Sequence, residues 1–301
     1  MPDLGLSLPR ADLEAAEARF RDALARGDAG GLEVLGYGEI STVVAVATSR
    51  GRFALKRLPP FDRRARFAAY RALFEEYLER LAAAGVEVVP SALESLEDAG
   101  GEVTAYCVQP VLEARRLAPR RLARSHPEAA RELLEEILGR VLGAVSPEVG
   151  LDGQLSNWAR LDGRWRYLDV TTPLLRDPSG RDRLDAELYL AMLPRPLRGA
   201  VRLLLLRSIT GVYFDRRCSA LDLFGNLHKE RLAGHVGAGV EIANRLLGGE
   251  RPITPGEVRR YYARDARLWA LLLWLRRADR FWQLRVRRRP YPFLLPGKIE
   301  R

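Results

Sequence analysis

The sequence predicts an α+β protein in which a small, strand-rich N-terminal part precedes a larger, mostly helical part. The first observation is a set of alternating, strand-like runs such as RFALKRL and EVTAYCVQPVL. The second is a helical segment, FAAYRALFEEYLERLAAAG, which interrupts those runs and keeps its apolar residues on one face. The third is the helical character of the chain beyond Pro173.

Individual elements follow from local signals. Residues 11–26 form a predicted helix that ends at the glycine-rich stretch GDAGG, and a second helix is predicted over residues 127–145. The runs WARL and RWRYLDV are separated by Asp162 and Gly163, which predicts a β-hairpin with a two-residue turn. A final helix is predicted to begin at the TPGE sequence, at residue 254.

We expect one unit of two lobes preceded by a short extension. The chain of 301 residues is long enough for a substantial core, and its 47% of hydrophobic residues is ordinary for a globular protein. The predicted divisions are an N-terminal helical extension over residues 1–30, a small lobe over 31–110 and a helical large lobe over 111–301.

Composition excludes several classes of protein. The two cysteines, Cys107 and Cys218, are far apart and the three histidines are scattered, so neither a disulfide framework nor a zinc site is expected. The N-terminus lacks the apolar run of a signal peptide, and no segment has the ~18 to 20 apolar residues of a membrane span. We therefore expect a cytoplasmic protein.

The stretch VGLDGQLSNWARLDGRWRYLDV carries the strongest functional signal. Asp152 is followed five residues later by Asn157, and twelve residues after that by Asp169. Because the predicted hairpin folds the chain back, Asp169 should end a strand close to Asn157. One acid then faces an acceptor hydroxyl, while the asparagine and the second acid converge on Mg²⁺. Phosphoryl transfer from ATP needs this arrangement.

A glycine turn and a lysine precede this stretch. The segment LGYGEISTVV places Gly36, Gly38 and Ser41 in a turn, and Lys56 follows on a strand-like run. Taken alone, a Gly-x-Gly sequence is more often an ordinary tight turn than a phosphate site. Lys56 stands out because the chain has 46 Arg and three Lys, which indicates a position that needs a compact charge on a flexible stem.

In this order, the glycine turn, the lysine, the helix, Asp152 with Asn157, and the strand-ending Asp169 resemble the protein-kinase-like superfamily. The likeness is to its small-molecule branch in particular, the aminoglycoside and choline-type phosphotransferases, and it covers residues 31–175. It implies a bilobal protein-kinase-like fold. It also implies an enzyme, dependent on ATP and Mg²⁺, that transfers phosphate to a hydroxyl of a small metabolite or peptide.

The resemblance assigns a nucleotide site to the small lobe. The implied positions are Gly36, Gly38, Ser41, Lys56, Glu75, Gln109 and Val111. The glycine turn would cover the nucleotide phosphates, and the lysine would pair with them and with a helix glutamate. Glu75 is the candidate for that glutamate, with Glu76 as its nearest rival. Gln109 to Val111 mark a hinge whose backbone groups would meet the adenine ring.

The resemblance also assigns the catalytic and metal positions. Asp152 would orient or deprotonate the acceptor hydroxyl, and Lys56 would serve catalysis through the phosphates. Asn157 and Asp169 would hold Mg²⁺.

The chain departs from the family pattern at three places. Gly150 stands where a histidine usually precedes the catalytic aspartate, so the loop is expected to lack that packing support. Ser41 replaces the third glycine of the turn. After Asp169 the chain reads VTTP, with no long activation loop, which argues against a regulated protein kinase. An inactive kinase-like binding module therefore stays open as the alternative function.

Charge is distributed unevenly along the chain. The net charge is −3 over residues 1–169, +4 over residues 170–251 and +9 over the last 50 residues. The last segment interleaves arginine with aromatic residues, and two interpretations stay open. It is either a large-lobe helix that buries Leu and Trp, or a basic surface that meets an anionic partner such as a membrane. No motif supports a nucleic acid partner.

The charge of the large lobe bears on the phosphate acceptor. The net basic region over residues 170–251 contains a cluster of arginines: Arg195, Arg198, Arg202, Arg207, Arg216 and Arg217. A polycation would be repelled on approach, so we expect a neutral or anionic acceptor rather than an aminoglycoside. Asp215 and Asp222 are local acids that could still gather in a pocket.

Overall fold

The small lobe is built on a five-stranded antiparallel sheet. This computed structural model describes residues 5–37, 42–190, 198–199, 210–249, 251–288 and 291. The strands run in the order β1-β2-β3-β5-β4. They are β1 (Glu33–Tyr37), β2 (Thr42–Thr48), β3 (Gly51–Arg57), β4 (Ala92–Glu97) and β5 (Val103–Pro110). The strand-rich small lobe predicted from the sequence is confirmed.

Helix α2 (Arg64–Ala83) connects β3 to β4 and covers one face of this sheet. Its inward side chains are spaced three or four residues apart, as one face of a helix requires. Four apolar residues on that face are all buried, as the helical periodicity predicts: Phe67, Phe74, Leu78 and Leu81. They join Val103, Ala105 and Cys107 of β5 in the larger of the two cores.

The opposite face of the sheet is covered by helix α1 (Arg10–Arg26). Side chains of a strand alternate between faces, so Tyr106 and Val108 of β5 pack here while their neighbours pack under α2. The helix ends at Gly27, whose φ of 74° suits a left-handed C-cap. The predicted helix over 11–26 is thus observed, packed on the sheet, whereas the divisions at residues 30 and 110 stay predictions.

A buried ion pair joins α1 to the sheet. Glu17 accepts hydrogen bonds from Nε and Nη2 of Arg57 at 2.9 Å each, and another from the Tyr106 hydroxyl. Burial alone would raise the pKa of Glu17, but the Arg57 guanidinium holds it below its ordinary value. The carboxylate therefore stays ionised and fixes α1 against β3 and β5.

The large lobe is mostly helical, as predicted. A 3₁₀ turn (Ala114–Arg116) follows β5 and leads into helices separated by one β-hairpin. The described helices are α3 (Ala118–Leu122), α4 (Pro127–Ala144), α5 (Ala186–Leu190), α6 (Arg216–Lys229), α7 (Val236–Leu247) and α8 (Pro255–Phe281). The predicted helix over 127–145 and the predicted helix start at 254 agree with α4 and α8.

The hairpin consists of β6 (Trp158–Leu161) and β7 (Arg164–Tyr167). Asp162 and Gly163 have φ angles of 49° and 78°, and two positive φ angles are characteristic of the two-residue type I′ turn. The aspartate–glycine signal in the sequence therefore predicted this turn correctly. Pairing of Trp158 with Tyr167 returns the chain to the level of Asn157.

Helix α8 is exposed along much of its 27 residues. Only Val258 and Arg276 are buried in this helix, whose residues are all described. Leu271 is 53% exposed and Trp274 is 64% exposed, so the interpretation of α8 as a helix that buries its Leu and Trp is wrong for these two. Among the helices of the described ranges, none is both long and apolar enough to cross a membrane.

Candidate active site

An ion pair between Lys56 and Asp169 links the two lobes. Lys56 lies on β3 opposite Val43 and Cys107, so its side chain points to the α2 side of the sheet. Its Nζ lies 2.7 Å from Oδ1 of Asp169, and the two side chains are 16% and 28% exposed. A pair that is 113 residues apart in sequence thereby fixes β3 against the segment after β7.

The Asp169 carboxylate is held in its ionised form. Burial would raise its pKa, but the Lys56 charge and hydrogen bonds from Lys56 and Thr171 hold that pKa below its ordinary value. The Thr171 hydroxyl donates to Oδ1 of Asp169 at 3.1 Å. The site therefore keeps a negative charge where a cation ligand is predicted.

Asn157 is held beside Asp169 through the backbone. The N–H of Leu168 donates to the carbonyl of Asn157 at 2.8 Å, so the residue before Asp169 is bonded directly to Asn157. The Asn157 side-chain Nδ2 donates to the carbonyl of Asp152 at 3.2 Å. Because that bond uses the amide nitrogen, the amide oxygen faces away from Asp152 and is the atom left to bind a cation.

Asp152 lies half-buried at the start of the same loop. Its Oδ1 accepts the N–H of Gln154 at 3.2 Å, which fixes the carboxylate against its own backbone. Lys56, Asp152, Asn157 and Asp169 thus lie in one site, connected through Asn157. Their chemical roles stay predictions.

The side chain of Gln109 forms two hydrogen bonds, whereas the predicted contact of its backbone with an adenine ring stays a prediction. Its Nε2 donates to Ser91 Oγ and to the carbonyl of Leu168, both at 2.9 Å. The end of β5 is therefore tied to the residue before Asp169, a link that the sequence did not indicate. Val111 follows the end of β5 and is half-buried.

The glycine turn is described only in part. Gly36 lies in β1 at an irregularity of the β1–β2 register, between Val34 and Gly36. Gly38 and Ser41 lie outside the described residues. The nucleotide-covering role of all three stays a prediction.

The predicted helix partner of Lys56 is wrong. Glu75 is exposed, and among the described residues the lysine forms its ion pair with Asp169. Glu76 instead binds both terminal nitrogens of Arg183, at 2.6 and 2.8 Å. Neighbouring residues of a helix are rotated by about 100° about its axis, and both glutamates therefore lie off the inward face of α2.

Two tyrosines occupy that inward face and bind the two functional loops, which are the loop before Asp152 and the segment after Asp169. The Tyr70 hydroxyl donates to the carbonyl of Thr171 at 2.8 Å, and the Tyr77 hydroxyl donates to the carbonyl of Gly150 at 3.0 Å. No motif in the sequence marked these two tyrosines as part of the site. The available signal was a pair of tyrosines on the apolar face of a helix, because a buried phenol hydroxyl needs a hydrogen-bond partner.

The expectation that the loop lacks packing at Gly150 is also wrong. A Cβ at this position would lie 3.1 Å from Leu174 Cβ and 3.1 Å from the Phe214 ring. The N–H of Gly150 donates to the carbonyl of Leu174 at 2.8 Å. Leu174 and Phe214 therefore fill the space beside the loop, and glycine is the residue that allows their approach.

Two acidic side chains, Asp222 of α6 and Glu230 just after α6, contact the loop that contains Asp152. Burial raises the pKa of Asp222 to about 6, while Tyr261 and Gln154 lower it through hydrogen bonds. Burial also raises the pKa of Glu230, to about 7, against the Lys229 charge and hydrogen bonds from Ser156. Because Gln154 and Ser156 belong to the loop of Asp152, these contacts connect that loop to α6.

The acids proposed for an acceptor pocket have structural partners. Asp215 caps α6, accepting the N–H of Cys218 at 2.7 Å. Asp222 is buried and accepts the Tyr261 hydroxyl at 2.7 Å. Both carboxylates therefore already accept hydrogen bonds within the protein, and neither is open to a cationic ligand.

The proposed arginine cluster is described in part. Arg195, Arg202 and Arg207 lie outside the described residues. Arg217 binds Glu257 at 2.7 Å and the carbonyl of Arg251 at 2.9 Å, so it joins α6 to the start of α8. A lining of the acceptor pocket by these arginines stays a prediction.

Sequence comparison gives a family for the chain. A family model described as "Family of unknown function (DUF6206)" matches residues 15–280. The chain belongs to this family. A search of curated protein sequences finds no match.

Structural comparison of this DUF6206 member finds loose likenesses to kinases. One is "WaaP in complex with acyl carrier protein", with 17% identity, coverage of 80% of this chain and 98% of the other, and a TM-score of 0.32. Another is a point mutant of the kinase domain of Mycobacterium tuberculosis PknI, with 18% identity, coverage of 78% and 83%, and a TM-score of 0.34. At such scores neither likeness bears on the activity of this chain.

Proposed function

We propose that this DUF6206 member is a phosphotransferase that uses ATP and Mg²⁺ to phosphorylate a hydroxyl of a small metabolite or peptide. The observation that carries the proposal is the 2.7 Å pair between Lys56 and Asp169, with Asn157 bonded beside it. A lysine, a carboxylate and an amide oxygen at one point are the groups that position nucleotide phosphates and their cation. Asp152, in the same loop, completes the set.

The residues fit a magnesium ion bound together with a nucleotide. Asp169 provides an ionised carboxylate and Asn157 an amide oxygen. Mg²⁺ is commonly bound by one or two carboxylates, with substrate phosphates and water as its remaining ligands. No group of three or more His, Cys, Asp or Glu able to hold a metal occurs in the described ranges. When bound, the ion neutralises charge on the transferred phosphoryl group.

The protein groups divide the remaining tasks. Lys56 is paired with Asp169, and a nucleotide would offer its ammonium a phosphate oxygen as an additional partner. Asp152 would accept a hydrogen bond from the acceptor hydroxyl, orient it and take its proton during transfer. Its carboxylate is already fixed by the Gln154 N–H, which reduces the reorganisation needed on binding.

The acceptor is proposed to be neutral or anionic. Support comes from the net +4 of residues 170–251, which disfavours the approach of a polycation. An acceptor of the aminoglycoside type would need open carboxylates, and Asp215 and Asp222 are engaged within the protein. The likeness to the aminoglycoside and choline-type branch stays a prediction from the sequence motifs.

A screen of acceptors tests this function. Purified protein is incubated with Mg-ATP and a library of hydroxyl metabolites and peptides, and phosphorylated products are identified by mass spectrometry. We expect a product with a neutral or anionic acceptor, and none with the Asp152→Asn variant. Efficient phosphorylation of kanamycin-like polycations would contradict the acceptor class. If millimolar Mg-ATP produced no heat of binding and no thermal shift, that result would contradict the phosphotransferase itself.

An inactive kinase-like module is the second candidate. The observation that favours it is that Lys56 has no helix glutamate as its partner in the described structure, since Glu75 is exposed and Glu76 binds Arg183. Nucleotide binding by calorimetry combined with no product from any acceptor would favour this candidate. Product formation that requires Asp152 would exclude it.

A further inference from the structure

A cavity of about 600 Å³ lined by arginines lies away from the proposed active site. We call it the arginine cavity. Its charged lining consists of Arg115, Arg116, Arg120, Arg121, Arg124 and Arg160, with Asp162 as the acidic residue. Six guanidinium groups and one carboxylate at one concave surface leave a large excess of positive charge.

Few of these charges are compensated by the protein. Arg115 and Arg116 share Glu113, with nitrogen–oxygen distances of 2.5 and 3.5 Å. Arg120, Arg121 and Arg124 form no ion pair with any residue in the described ranges. Like charges at one surface repel each other and raise the local positive potential, so the cavity attracts anions.

The frame of the cavity is fixed by packing. Ala118 and Leu122 of α3 are fully buried, and Leu117 forms a bridge to Ala159 of β6. These contacts turn the arginines of α3 to the outside of the lobe. On the facing side, the Arg160 guanidinium lies 5.5 Å from the Trp165 ring centroid and donates to the carbonyl of Gly163.

The arginine cavity is separate from the proposed nucleotide site. It contacts the turn of the β6–β7 hairpin, whereas Asn157 and Asp169 flank the other end of that hairpin. The four residues of β6 span about 13 Å at ~3.3 Å per residue. A ligand in the cavity therefore does not depend on Lys56, Asp152 or Asp169.

We propose that the arginine cavity is a binding site for an anion with several closely spaced phosphate groups. A guanidinium presents a planar fork of donors that matches phosphate oxygens, and one phosphate can accept from several arginines at once. A carboxylate has only two oxygens and satisfies fewer of the converging donors. The volume suits a small polyanion, since ligand cavities commonly measure about 300–1,000 Å³.

Calorimetry with inorganic tripolyphosphate tests this site. Titrations use the full chain in EDTA, so that metal-dependent binding at the proposed active site does not contribute. We expect binding that weakens about tenfold or more in the triple variant Arg120→Ala, Arg121→Ala, Arg124→Ala, because each lost bond is a charge-assisted one. The Lys56→Ala variant is expected to bind like the wild type.

A control triple separates this site from general charge. Arg19→Ala, Arg259→Ala and Arg267→Ala remove three exposed arginines elsewhere and change the net charge by the same amount. We expect the control triple to lose no more than about twofold in affinity, the size of a screened long-range effect. Equal weakening in both triples, or unchanged binding in the cavity triple, would overturn the proposal. The single Arg121→Glu change gives a second readout should the cavity triple unfold.

The source of the phosphates is resolved by competition. Vesicles of phosphatidylcholine and phosphatidic acid that displace tripolyphosphate would identify a lipid headgroup, and binding without such displacement would identify a soluble ligand. Either result agrees with the proposal. Binding of single-stranded RNA together with no affinity for tripolyphosphate would overturn it. Loss of tripolyphosphate binding in Lys56→Ala alone would also overturn it, because that ligand would then occupy the nucleotide site.

Discussion

Lys56 and Asp169 stabilise each other through their ion pair. The pair is mostly shielded from solvent, so removing one partner leaves the other as a partly buried charge without compensation. In the proposed function, the same contact would also position both groups for a nucleotide.

The roles of the two aspartates can be separated by substitution. Asp169→Ala should abolish Mg-ATP binding, because the cation loses its carboxylate ligand. It should also lower the free energy of unfolding by about 1–3 kcal/mol, because Lys56 loses its partner. Asp152→Ala should leave nucleotide affinity nearly unchanged while product formation falls by about 10² or more. Calorimetry, urea denaturation and product assays measure these effects, and equal loss of ATP affinity in both variants would show that the roles are misassigned.

At the scale of elements, α2 is attached to both functional loops by hydroxyl groups. Tyr70 reaches the segment after Asp169, and Tyr77 reaches the loop before Asp152. The helix is therefore coupled to the site although neither of its adjacent glutamates contacts Lys56.

We predict that these hydroxyls contribute to stability and to loop position. Tyr70→Phe and Tyr77→Phe should each lower the free energy of unfolding by about 1 kcal/mol, because a carbonyl loses its donor. Product formation should fall more than nucleotide affinity in Tyr77→Phe, since Gly150 lies next to the loop of Asp152. Urea denaturation and steady-state assays test this. Tyr262→Phe, whose ring stacks on His228, is the control and should change neither quantity.

Local signals predicted the elements better than their contacts. The aspartate–glycine turn and the Thr254 cap of α8 are determined by neighbouring residues, and the sequence placed both correctly. The prediction for Glu75 was wrong because adjacent residues of a helix are rotated by about 100° from each other. Which of them faces inward is decided by packing, not by the local sequence. The expectation for Gly150 was wrong because Phe214, which packs beside it, comes from a segment distant in sequence. Such contacts leave no local pattern.

The second half of α8 and the π-helical turn that follows it (Trp282–Val286) present an apolar stripe between arginines. Trp274 is 64% exposed, Phe281 65% and Trp282 52%, with Leu271 and Val286 also exposed. Aromatic side chains flanked by arginines are typical of helices that lie at an anionic lipid surface. We therefore retain such a surface as the proposed partner of this helix.

Sedimentation with vesicles tests that partner. We predict binding to vesicles that contain phosphatidylglycerol, weaker binding at high salt, and little binding to phosphatidylcholine alone. Serine at Trp274, Phe281 and Trp282 should reduce the bound fraction about tenfold or more, through lost apolar burial. Serine at Leu35, an exposed apolar residue of β1, should not. Undiminished binding of the triple variant would contradict a role for this stripe.

At the scale of the whole molecule, two cores meet across the sheet. One lies under α1, and the other extends from α2 through the hairpin to α6, α7 and the start of α8. The end of α8 returns to α1, where Arg280 donates to the carbonyl of Gly27. Helices α1 and α8 are therefore in contact, and this contact contributes to the stability of the small lobe.

The stability of the chain should depend on pH through Glu230. Its pKa of about 7 is raised above the ordinary 4.5, so the folded state favours the protonated acid. The stabilisation is fully present below pH 4.5 and is lost as pH rises through 7, in the same direction as for Asp222 with its pKa of about 6. At about 1.4 kcal/mol per pKa unit, we expect Glu230 alone to lower the free energy of unfolding by roughly 3 kcal/mol between about pH 4.5 and 8.

Urea denaturation at several pH values measures this dependence. Glu230→Gln should flatten the curve and make the protein more stable than wild type at about pH 8, because the uncharged amide avoids the desolvation of a carboxylate. Glu132→Gln, on the exposed side of α4, is the control and should keep the wild-type curve. A Glu230→Gln variant with an unchanged slope would show that another group titrates.

The attachment of α2 by Tyr70 and Tyr77 has a consequence for control of the proposed enzyme. Kinases that are switched on and off commonly do so by forming and breaking the lysine–glutamate pair as the helix moves. Here the two hydroxyl bonds to the functional loops carry no charge, so neither a phosphorylated residue nor a change of salt competes for them as it would for an ion pair. We therefore expect the proposed enzyme to be constitutively assembled, with an output that follows the supply of its substrates and the amount of protein made.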